Sequence, residues 1–215
     1  HGGPFANIAH GCNSVVATKL AMKMGDIAVT EAGFGADLGA EKFMDIKCRF
    51  AGIKPNAVVI VATVRALKMH GGVDKKNLQE ENVAALKKGF ANLAKHIENM
   101  RQFDVPVLVG INKFITDTDE EIATLRMLCE EYGVDAALNN CWAEGGKGGL
   151  EMGEKVLQLL QQPQTPYKPL YDVNDTIPQK METIVKKIYG GDGVVFEKNA
   201  QKQIKELEKF GLDKM

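Results

Sequence analysis

The chain has 215 residues, of which 45% are hydrophobic and 26% charged, with a formal net charge of −1 at pH 7. This composition is that of an ordinary globular protein and excludes disordered and collagen-like classes. The near-zero charge gives no broad electrostatic footprint for nucleic acid or for an anionic membrane surface, and the longest apolar run, residues 57–63, is too short to span a bilayer.

Four aliphatic segments are predicted as strands: residues 26–31, 57–63, 106–112 and 135–140. Between them, apolar residues recur every three or four positions, which is the period of an amphipathic helix. The longest helix is predicted over residues 79–100, with an apolar face at Val83, Leu86, Phe90, Leu93 and Ile97. Another begins at the acidic residues 117–121, since carboxylates favour a helix N-terminus, and its inward face is predicted at Ile122, Leu125 and Leu128. Strands that alternate with helices predict an α/β fold with a mostly parallel sheet flanked by helices.

The last fifty residues differ in character. A proline-containing connector at residues 161–166 precedes two predicted helices, over residues 177–189 and 196–210. This tail is interpreted as helical packing around the sheet and not as a second enzyme. A division of the chain is predicted near Lys95.

Large aromatic residues follow three of the predicted strands. In a parallel α/β sheet, ligands bind in the crevice outside the carboxyl ends of the strands. Phe34, Phe114 and Trp142 all lie in the loops expected there, and Trp142 is the only tryptophan of the chain. Each ring alone could equally belong to the core, but the three together favour a pocket for a planar conjugated ring.

Nucleotide-binding motifs are incomplete in these loops. Gly33, Gly35 and Gly39 have GxGxxxG spacing instead of the GxGxxG of the dinucleotide fingerprint. The NKxD-like start at Asn112 has Ile115 where a guanine-binding Asp would stand. The GGKGG run at residues 145–149 resembles part of a phosphate loop, but GxxxxGK[ST] occurs nowhere in the chain. Any main phosphate cradle therefore lies elsewhere.

Basic residues after the second predicted strand are candidates for anion binding. Arg65, Lys68 and His70 occur together in VRALKMHGG and could hold a carboxylate or a phosphate. The alternative is a structural role, in which this cluster caps a turn and pairs with acidic residues of the preceding segment: Asp37, Glu41 or Asp45.

Two glutamates are candidates for acid–base chemistry. Glu31 and Glu144 stand near predicted strand ends beside glycine, where a desolvated carboxylate could orient an amine or accept its proton. The alternative is that both are solvated surface carboxylates. The histidines are scattered and HExxH does not occur, so the sequence predicts no metal site built from side-chain ligands. Binding of Mg²⁺ through the phosphates of a nucleotide is still compatible with the sequence.

The loop sequences together resemble one enzyme family. HGGPFANIAHG at residues 1–11, TEAGFGADLGAEKF at 30–43, VATVRALKMHGG at 61–72 and WAEGGKGG at 142–149 are similar to formate–tetrahydrofolate ligase. The similarity continues through LYDV at 170–173 and KIYGGDGV at 187–194 to the end of the chain.

The resemblance implies a two-step reaction. Formate attacks the γ-phosphate of MgATP to give formyl phosphate, and N10 of tetrahydrofolate then attacks its carbonyl to give 10-formyltetrahydrofolate, ADP and phosphate. Phe114 and Trp142 match the aromatics that hold the pterin ring in this family. Phe34 lies in the matching GFG loop, and Leu138 lines the same pocket. The family is cytoplasmic, commonly homotetrameric, and often activated by monovalent cations such as potassium or ammonium.

The departures from the family pattern define what this chain is expected to contribute. The family's TPxGEGKTT-like phosphate loop, which gives it a P-loop-NTPase-like fold, is absent from these 215 residues. The resemblance therefore implies a fragment of a multidomain enzyme that works with the remaining segments of the same polypeptide. It places residues 1–95 in the nucleotide-binding α/β domain and 96–215 in a second α/β domain that contributes the folate pocket. The alternative is a truncated, non-catalytic module that binds folate or docks on subunits.

Overall fold

The computed structural model describes residues 13–214 of the chain, so the motif at residues 1–11 lies outside the described residues. The chain divides into two compact units. One consists of residues 55–166 and holds the sheet, and the other combines the segments before residue 55 and after residue 166. The division predicted near Lys95 falls inside a long helix of the first of these units.

The sheet has three parallel strands in the order β1-β2-β3. They are β1 (Val58–Ala62), β2 (Val107–Asn112) and β3 (Asp135–Asn139). In the register, Ile111 of β2 lies opposite Ala62 on one side and Leu138 on the other. The predicted α/β class with a parallel sheet is confirmed, as are three of the four predicted strands.

The helices described are, in chain order, α1 (Val15–Met24), α2 (Arg49–Ala51), α3 (Val64–His70), α4 (Val83–Arg101), α5 (Asp119–Glu131), α6 (Cys141–Glu144), α7 (Leu150–Leu160), α8 (Ile177–Ile184) and α9 (Lys198–Lys209). Wider π-helical turns cover Ala36–Ala40, Phe43–Cys48 and Val185–Tyr189. The predicted helices over 79–100, from 117, over 177–189 and over 196–210 all correspond to helical segments. Within residues 13–214, no helix has both the length and the apolar character needed to cross a membrane.

Helices pack on the sheet of the 55–166 unit. Helix α4 contacts β1 and β2, α5 contacts β3, and α7 contacts β2 and β3. On the α7 face, Leu108 and Ala137 are buried with Leu159 of that helix. The predicted inward face of α4 is buried at Leu86, Phe90, Leu93 and Ile97. The three- and four-residue spacing therefore identified the correct face, because it repeats once per helical turn.

Two glycines let α3 and α4 approach backbone to backbone. A Cβ atom added to Gly89 would lie 1.9 Å from the carbonyl oxygen of Leu67, and one added to Gly71 would lie 2.0 Å from that of Ala85. No side chain fits at such distances. This close contact sets the position of α3, the helix that begins directly after β1 and carries the basic candidate residues.

The second unit is organised around a buried carboxylate. Asp45 accepts a hydrogen bond from the Leu170 backbone N–H at 2.8 Å and lies 3.7 Å from the guanidinium of Arg49. Arg49 in turn donates to the carbonyl of Tyr171 at 2.7 Å and lies over the ring of that residue. The Tyr167 hydroxyl also donates to the Met44 carbonyl. These bonds join two segments of the unit that are far apart in the sequence.

The prediction of a strand at residues 26–31 is wrong. These residues form a bend and an extended segment without a ladder partner, and Val29 is 91% exposed. They belong to the unit whose described residues contain no strand, whereas all three strands lie in residues 55–166. Alternation of apolar residues permits a strand, but a strand forms only where a neighbour supplies the hydrogen bonds. The loop at 31–39 consequently does not follow a strand.

Candidate functional site

The candidate site lies at the carboxyl ends of β2 and β3, where two asparagines join the strand ends. Asn112 and Asn139 are opposite each other in the parallel register. The Asn139 side-chain amide donates to Oδ1 of Asn112 at 2.7 Å, and the Lys113 N–H donates to the Asn139 carbonyl at 3.0 Å. These bonds hold the two following loops side by side. The loops carry Phe114 and Trp142.

A turn holds Phe114 directly after β2. The Phe114 N–H donates to Oδ2 of Asp117 at 2.8 Å, and the Asp117 N–H donates to the Phe114 carbonyl at 3.0 Å. The guanidinium carbon of Arg65 lies 4.9 Å from the centre of the Phe114 ring, within the range of a cation–π contact. The ring is still 40% exposed. It is thus supported by protein and open to a ligand.

Asp117 is buried behind this turn. Its Oδ1 atom has no hydrogen-bond partner among the described residues. Burial raises the pKa of Asp117, although the N–H of Phe114 opposes this. The nearby charge of Glu121 raises that pKa further, while Lys68 and Arg65 lower it. The sequence pattern placed Asp117 only at the start of a helix. No sequence pattern indicated that its carboxylate would bind the Phe114 N–H.

The glycine-rich run beside Trp142 shapes the second loop. The Asn140 N–H donates to the Gly148 carbonyl at 2.9 Å, and a Cβ on Gly148 would lie 2.4 Å from the Asn140 carbonyl atoms. Asn139 also accepts from the Cys141 N–H at 3.2 Å, which fixes the start of the short helix α6. The Trp142 side chain on α6 is 88% exposed. In this structure the glycines fold the loop tightly and leave its indole free.

Leu138 lies on β3 at the base of the Trp142 loop and is half-buried. Its N–H donates to Oε2 of Glu151 at 3.2 Å, and Glu151 accepts both arms of the Arg126 guanidinium at 2.6 and 2.7 Å. This bidentate hydrogen bond lowers the pKa of Glu151, against the effect of burial. Sequence reasoning missed both Arg126 and Glu151, since each looks like an ordinary surface charge on a helix.

Lys68 is used inside the fold. Its ammonium lies 2.8 Å from a Glu121 carboxylate oxygen, both side chains are 0% exposed, and it also donates to the Glu80 carbonyl at 2.9 Å. Burial alone would raise the pKa of Glu121, but hydrogen bonds from Lys68, Asn82 and Thr118 outweigh it, so this pKa is lowered. Of the three basic candidates, Arg65 is half-buried against Phe114, and His70 is exposed at the end of α3.

The remaining candidates are divided between the two units. Glu144 is exposed in the 55–166 unit and accepts a hydrogen bond from the Asn140 side chain at 2.7 Å. Glu31 and Phe34 belong to the other unit, where Glu31 is exposed. Phe34 has φ 62°, a left-handed conformation that is uncommon outside glycine, and its side chain is 71% exposed.

The Phe34 loop is closed by its glycines. A Cβ on Gly39 would lie 1.5 Å from the carbonyl oxygen of Gly33, so the backbone at these two positions is in direct contact. A non-glycine residue in the left-handed region costs about 1–2 kcal/mol and persists where the surrounding structure imposes it. The GxGxxxG spacing therefore reflects a tight turn that displays Phe34.

Over residues 13–214, no group of three or more His, Cys, Asp or Glu side chains is arranged to hold a metal ion. The sequence model of one family, described as formate--tetrahydrofolate ligase, matches residues 1–215.

Proposed function

The chain belongs to the formate–tetrahydrofolate ligase family, and on that premise we propose that its 55–166 unit supplies the folate side of the ligation. The observation that carries this proposal is the pair of exposed aromatics on adjacent strand-end loops. Phe114 and Trp142 follow β2 and β3, whose ends are joined by the Asn112–Asn139 hydrogen bond. Their rings are available to stack on the two faces of a pterin, and Leu138 lies at the base of the second loop.

The proposed reaction transfers a formyl group in two steps. A formate oxygen attacks the γ-phosphorus of MgATP and ADP leaves, which gives formyl phosphate. The N10 lone pair of tetrahydrofolate then attacks the formyl carbon, inorganic phosphate leaves, and N10 loses its proton. Stacking of the pterin would place N10 for this attack without any covalent contribution from the aromatic residues.

Supporting roles are proposed for the polar candidates. Arg65 and His70 are the basic residues with some exposure near the start and end of α3, and a phosphate or carboxylate is the chemistry that they would bind. Lys68 is committed to Glu121 and is left out of this anion site. Glu144 is the acid–base candidate of the 55–166 unit. Glu31, an acid–base candidate, and Phe34, a folate candidate, belong to the other unit.

The wider assignment follows the family. We propose MgATP and tetrahydrofolate as substrates, a monovalent cation such as potassium or ammonium as activator, a homotetramer as the assembly and the cytoplasm as the location. The resemblance also assigns residues 1–95 to a P-loop-NTPase-like nucleotide domain and 96–215 to the folate-binding domain. The proposed folate contacts Phe114, Leu138 and Trp142 lie in the part that this assignment shares with the 55–166 unit. The catalytic residues and the cation ligands are unassigned.

A second candidate function is folate binding without catalysis. It is the alternative for these 215 residues taken by themselves, in which GxxxxGK[ST], the loop that binds the ATP phosphates, does not occur. Formation of 10-formyltetrahydrofolate from formate and MgATP by this chain would exclude the second candidate. Folate binding without turnover would favour it.

The test of the folate site is a titration with tetrahydrofolate that follows the fluorescence of Trp142, the single tryptophan, with correction for ligand absorption. We expect saturable quenching that ATP does not reproduce, and equilibrium dialysis should give the same dissociation constant. Phe210→Ala, which removes another exposed aromatic, is the matched control and should bind with unchanged affinity. Absence of saturable binding to the folded chain would contradict the proposal.

A further inference from the structure

The Phe114 ring is supported by protein on one side. The Arg65 guanidinium carbon lies 4.9 Å from the ring centre, and a planar guanidinium over an aromatic face is a favourable arrangement. The ring keeps 40% exposure in spite of this contact. Arg65 is the second residue of α3, so its backbone is held by the close packing of that helix against α4 at Gly71 and Gly89.

The backbone of Phe114 is fixed from the other end of the turn. Asp117 receives the Phe114 N–H on Oδ2 at 2.8 Å and returns its own N–H to the Phe114 carbonyl at 3.0 Å. Ile115, between the two, is 91% exposed, so no core packing of Ile115 holds the turn in place. The two bonds of Asp117 therefore determine the direction in which the Phe114 side chain leaves the strand end.

Arg65 is half-buried and Asp117 is buried, and each has a buried polar atom. The Nε of Arg65 and the Oδ1 of Asp117 are both buried and lack a hydrogen-bond partner among the described residues. Burial raises the pKa of the Asp117 carboxyl, and the Arg65 guanidinium opposes this. Opposite charges in a poorly solvated place attract more strongly than on the surface. Each support of the ring nevertheless rests on its own contact with Phe114, at 4.9 Å from the ring centre for Arg65 and 2.8 Å from the N–H for Asp117.

We propose that Arg65 and Asp117 are positioning residues that hold the Phe114 ring in one orientation, ready to stack on the pterin of tetrahydrofolate. This inference rests on the proposed folate site. A side chain that is already ordered does not lose conformational freedom when the ligand binds, so the affinity is higher than with a mobile ring. Towards tetrahydrofolate, Arg65 then acts through Phe114, which is a second role beside the anion contact proposed above.

The test is a double-mutant cycle with Arg65→Gln and Phe114→Leu, read out as the dissociation constant for tetrahydrofolate from equilibrium dialysis. We expect Arg65→Gln to weaken binding by about 3- to 10-fold, the scale of a partly exposed cation–π contact and one ordered side chain. In the Phe114→Leu background the same change should have an effect of less than about 2-fold, since the ring on which it acts is gone.

A matched control removes an equivalent contact elsewhere in the unit. Arg101 lies 5.5 Å from the ring centre of Tyr132 and donates to the Gly133 carbonyl, just before β3 at the opposite end of the sheet. Arg101→Gln should leave tetrahydrofolate affinity unchanged. Thermal unfolding midpoints of all variants show whether a loss of affinity comes from a loss of folded protein.

The role of Asp117 is tested by comparing a conservative substitution with one that removes the hydrogen-bond acceptor. Asp117→Asn keeps a side-chain oxygen that can accept the Phe114 N–H and should retain most of the affinity, whereas Asp117→Ala removes the acceptor and should weaken binding as Arg65→Gln does. If Asp117→Ala fails to fold, the double-mutant cycle of Arg65 and Phe114 alone tests whether the ring is positioned by its neighbours. Equal affinities of folded Asp117→Ala and the unaltered chain would overturn the role of Asp117.

The other outcomes separate this inference from the folate site itself. If Phe114→Leu binds tetrahydrofolate as well as the unaltered chain, or if the unaltered chain does not bind it, the folate site fails and this inference fails with it. If Phe114→Leu weakens binding but Arg65→Gln does not, only the positioning role is overturned. Equal losses from Arg65→Gln in both backgrounds would show a direct ligand contact, and tighter binding would show that the guanidinium blocks the ring.

Discussion

Lys68 donates to Glu121 across 2.8 Å in a place where neither side chain reaches solvent. The same carboxylate accepts the Asn82 N–H at 2.8 Å and forms a capping box with Thr118 at the start of α5. One carboxylate therefore connects α3 with the first residues of α4 and α5. Helix α3, which contains Arg65, follows β1, and α5 follows β2 and the Phe114 turn.

This ion pair predicts that substituting Glu121 and substituting Lys68 lower the free energy of unfolding by different amounts. Glu121→Gln should destabilise the protein by about 3–5 kcal/mol, because it leaves the Lys68 ammonium buried without a counter-charge. Lys68→Met should cost less, since the remaining carboxylate keeps the N–H groups of Asn82 and Thr118. Chemical denaturation of the three proteins measures the difference. A smaller loss for Glu121→Gln than for Lys68→Met would contradict the arrangement.

The contact between α3 and α4 predicts opposite effects of the same substitution at two helical glycines. Gly89→Ala should destabilise the protein by about 1–3 kcal/mol or more, because the new methyl group would meet the Leu67 carbonyl at 1.9 Å. A Cβ atom added to Gly153 on α7 would have no other atom within 4 Å. Gly153→Ala should therefore stabilise the protein by about 0.5–1 kcal/mol through helix propensity. Both changes are measured by denaturant unfolding. Equal effects at the two sites would contradict the close approach.

The carboxyl pair of Glu41 and Asp45 predicts that stability falls as the pH rises. Burial, together with the neighbouring Asp45, raises the pKa of Glu41 from its ordinary value of 4.5 to about 8. The folded chain therefore holds this proton more firmly than the unfolded chain between these two values. The contribution is fully present below pH 4.5 and is lost by about pH 8, with a size of up to about 5 kcal/mol.

The surroundings of the pair and a matched variant make this testable. The ionisable groups that act on it are Lys42, Arg49, Tyr167, Tyr171, Lys187 and Tyr189. Glu41→Gln imitates the protonated carboxyl, so the slope of unfolding free energy against pH between 4.5 and 8 should flatten. Glu154→Gln, at an exposed position, should keep the slope. Identical slopes in both variants would contradict the assignment of this pH dependence to Glu41.

The indole of Trp142 predicts a loss of ligand binding with little loss of stability. Trp142→Ala should weaken tetrahydrofolate binding by about 1–3 kcal/mol, because it removes one stacking face. Since the side chain is 88% exposed, the unfolding free energy should change by no more than about 0.5 kcal/mol. Trp142→Phe keeps a ring and should bind better than the alanine variant. A large loss of stability with intact affinity would assign the indole to the core.

The agreement between sequence and structure is best where the pattern is local and repeated. The inward faces of α4 and α5, the start of α5 among acidic residues and the three strands of the sheet follow from patterns within a few residues. The placement of Phe114 and Trp142 after strand ends follows from the same assignment. The segment at 26–31 has a comparable pattern but no neighbouring strand, and pairing is a property of two segments, so its own residues could not decide it.

By itself, the sequence determined the α/β class, the family and the two aromatic loops of the sheet, because each depends on residue types at short spacing. Only the tertiary structure decided which charges are used inside the fold and which stay available. Lys68 and Arg65 are three positions apart on one helix, yet one is buried against Glu121 and the other covers Phe114. That choice depends on which distant side chain each position of α3 meets after packing, and a helical period alone carries no information about the partner.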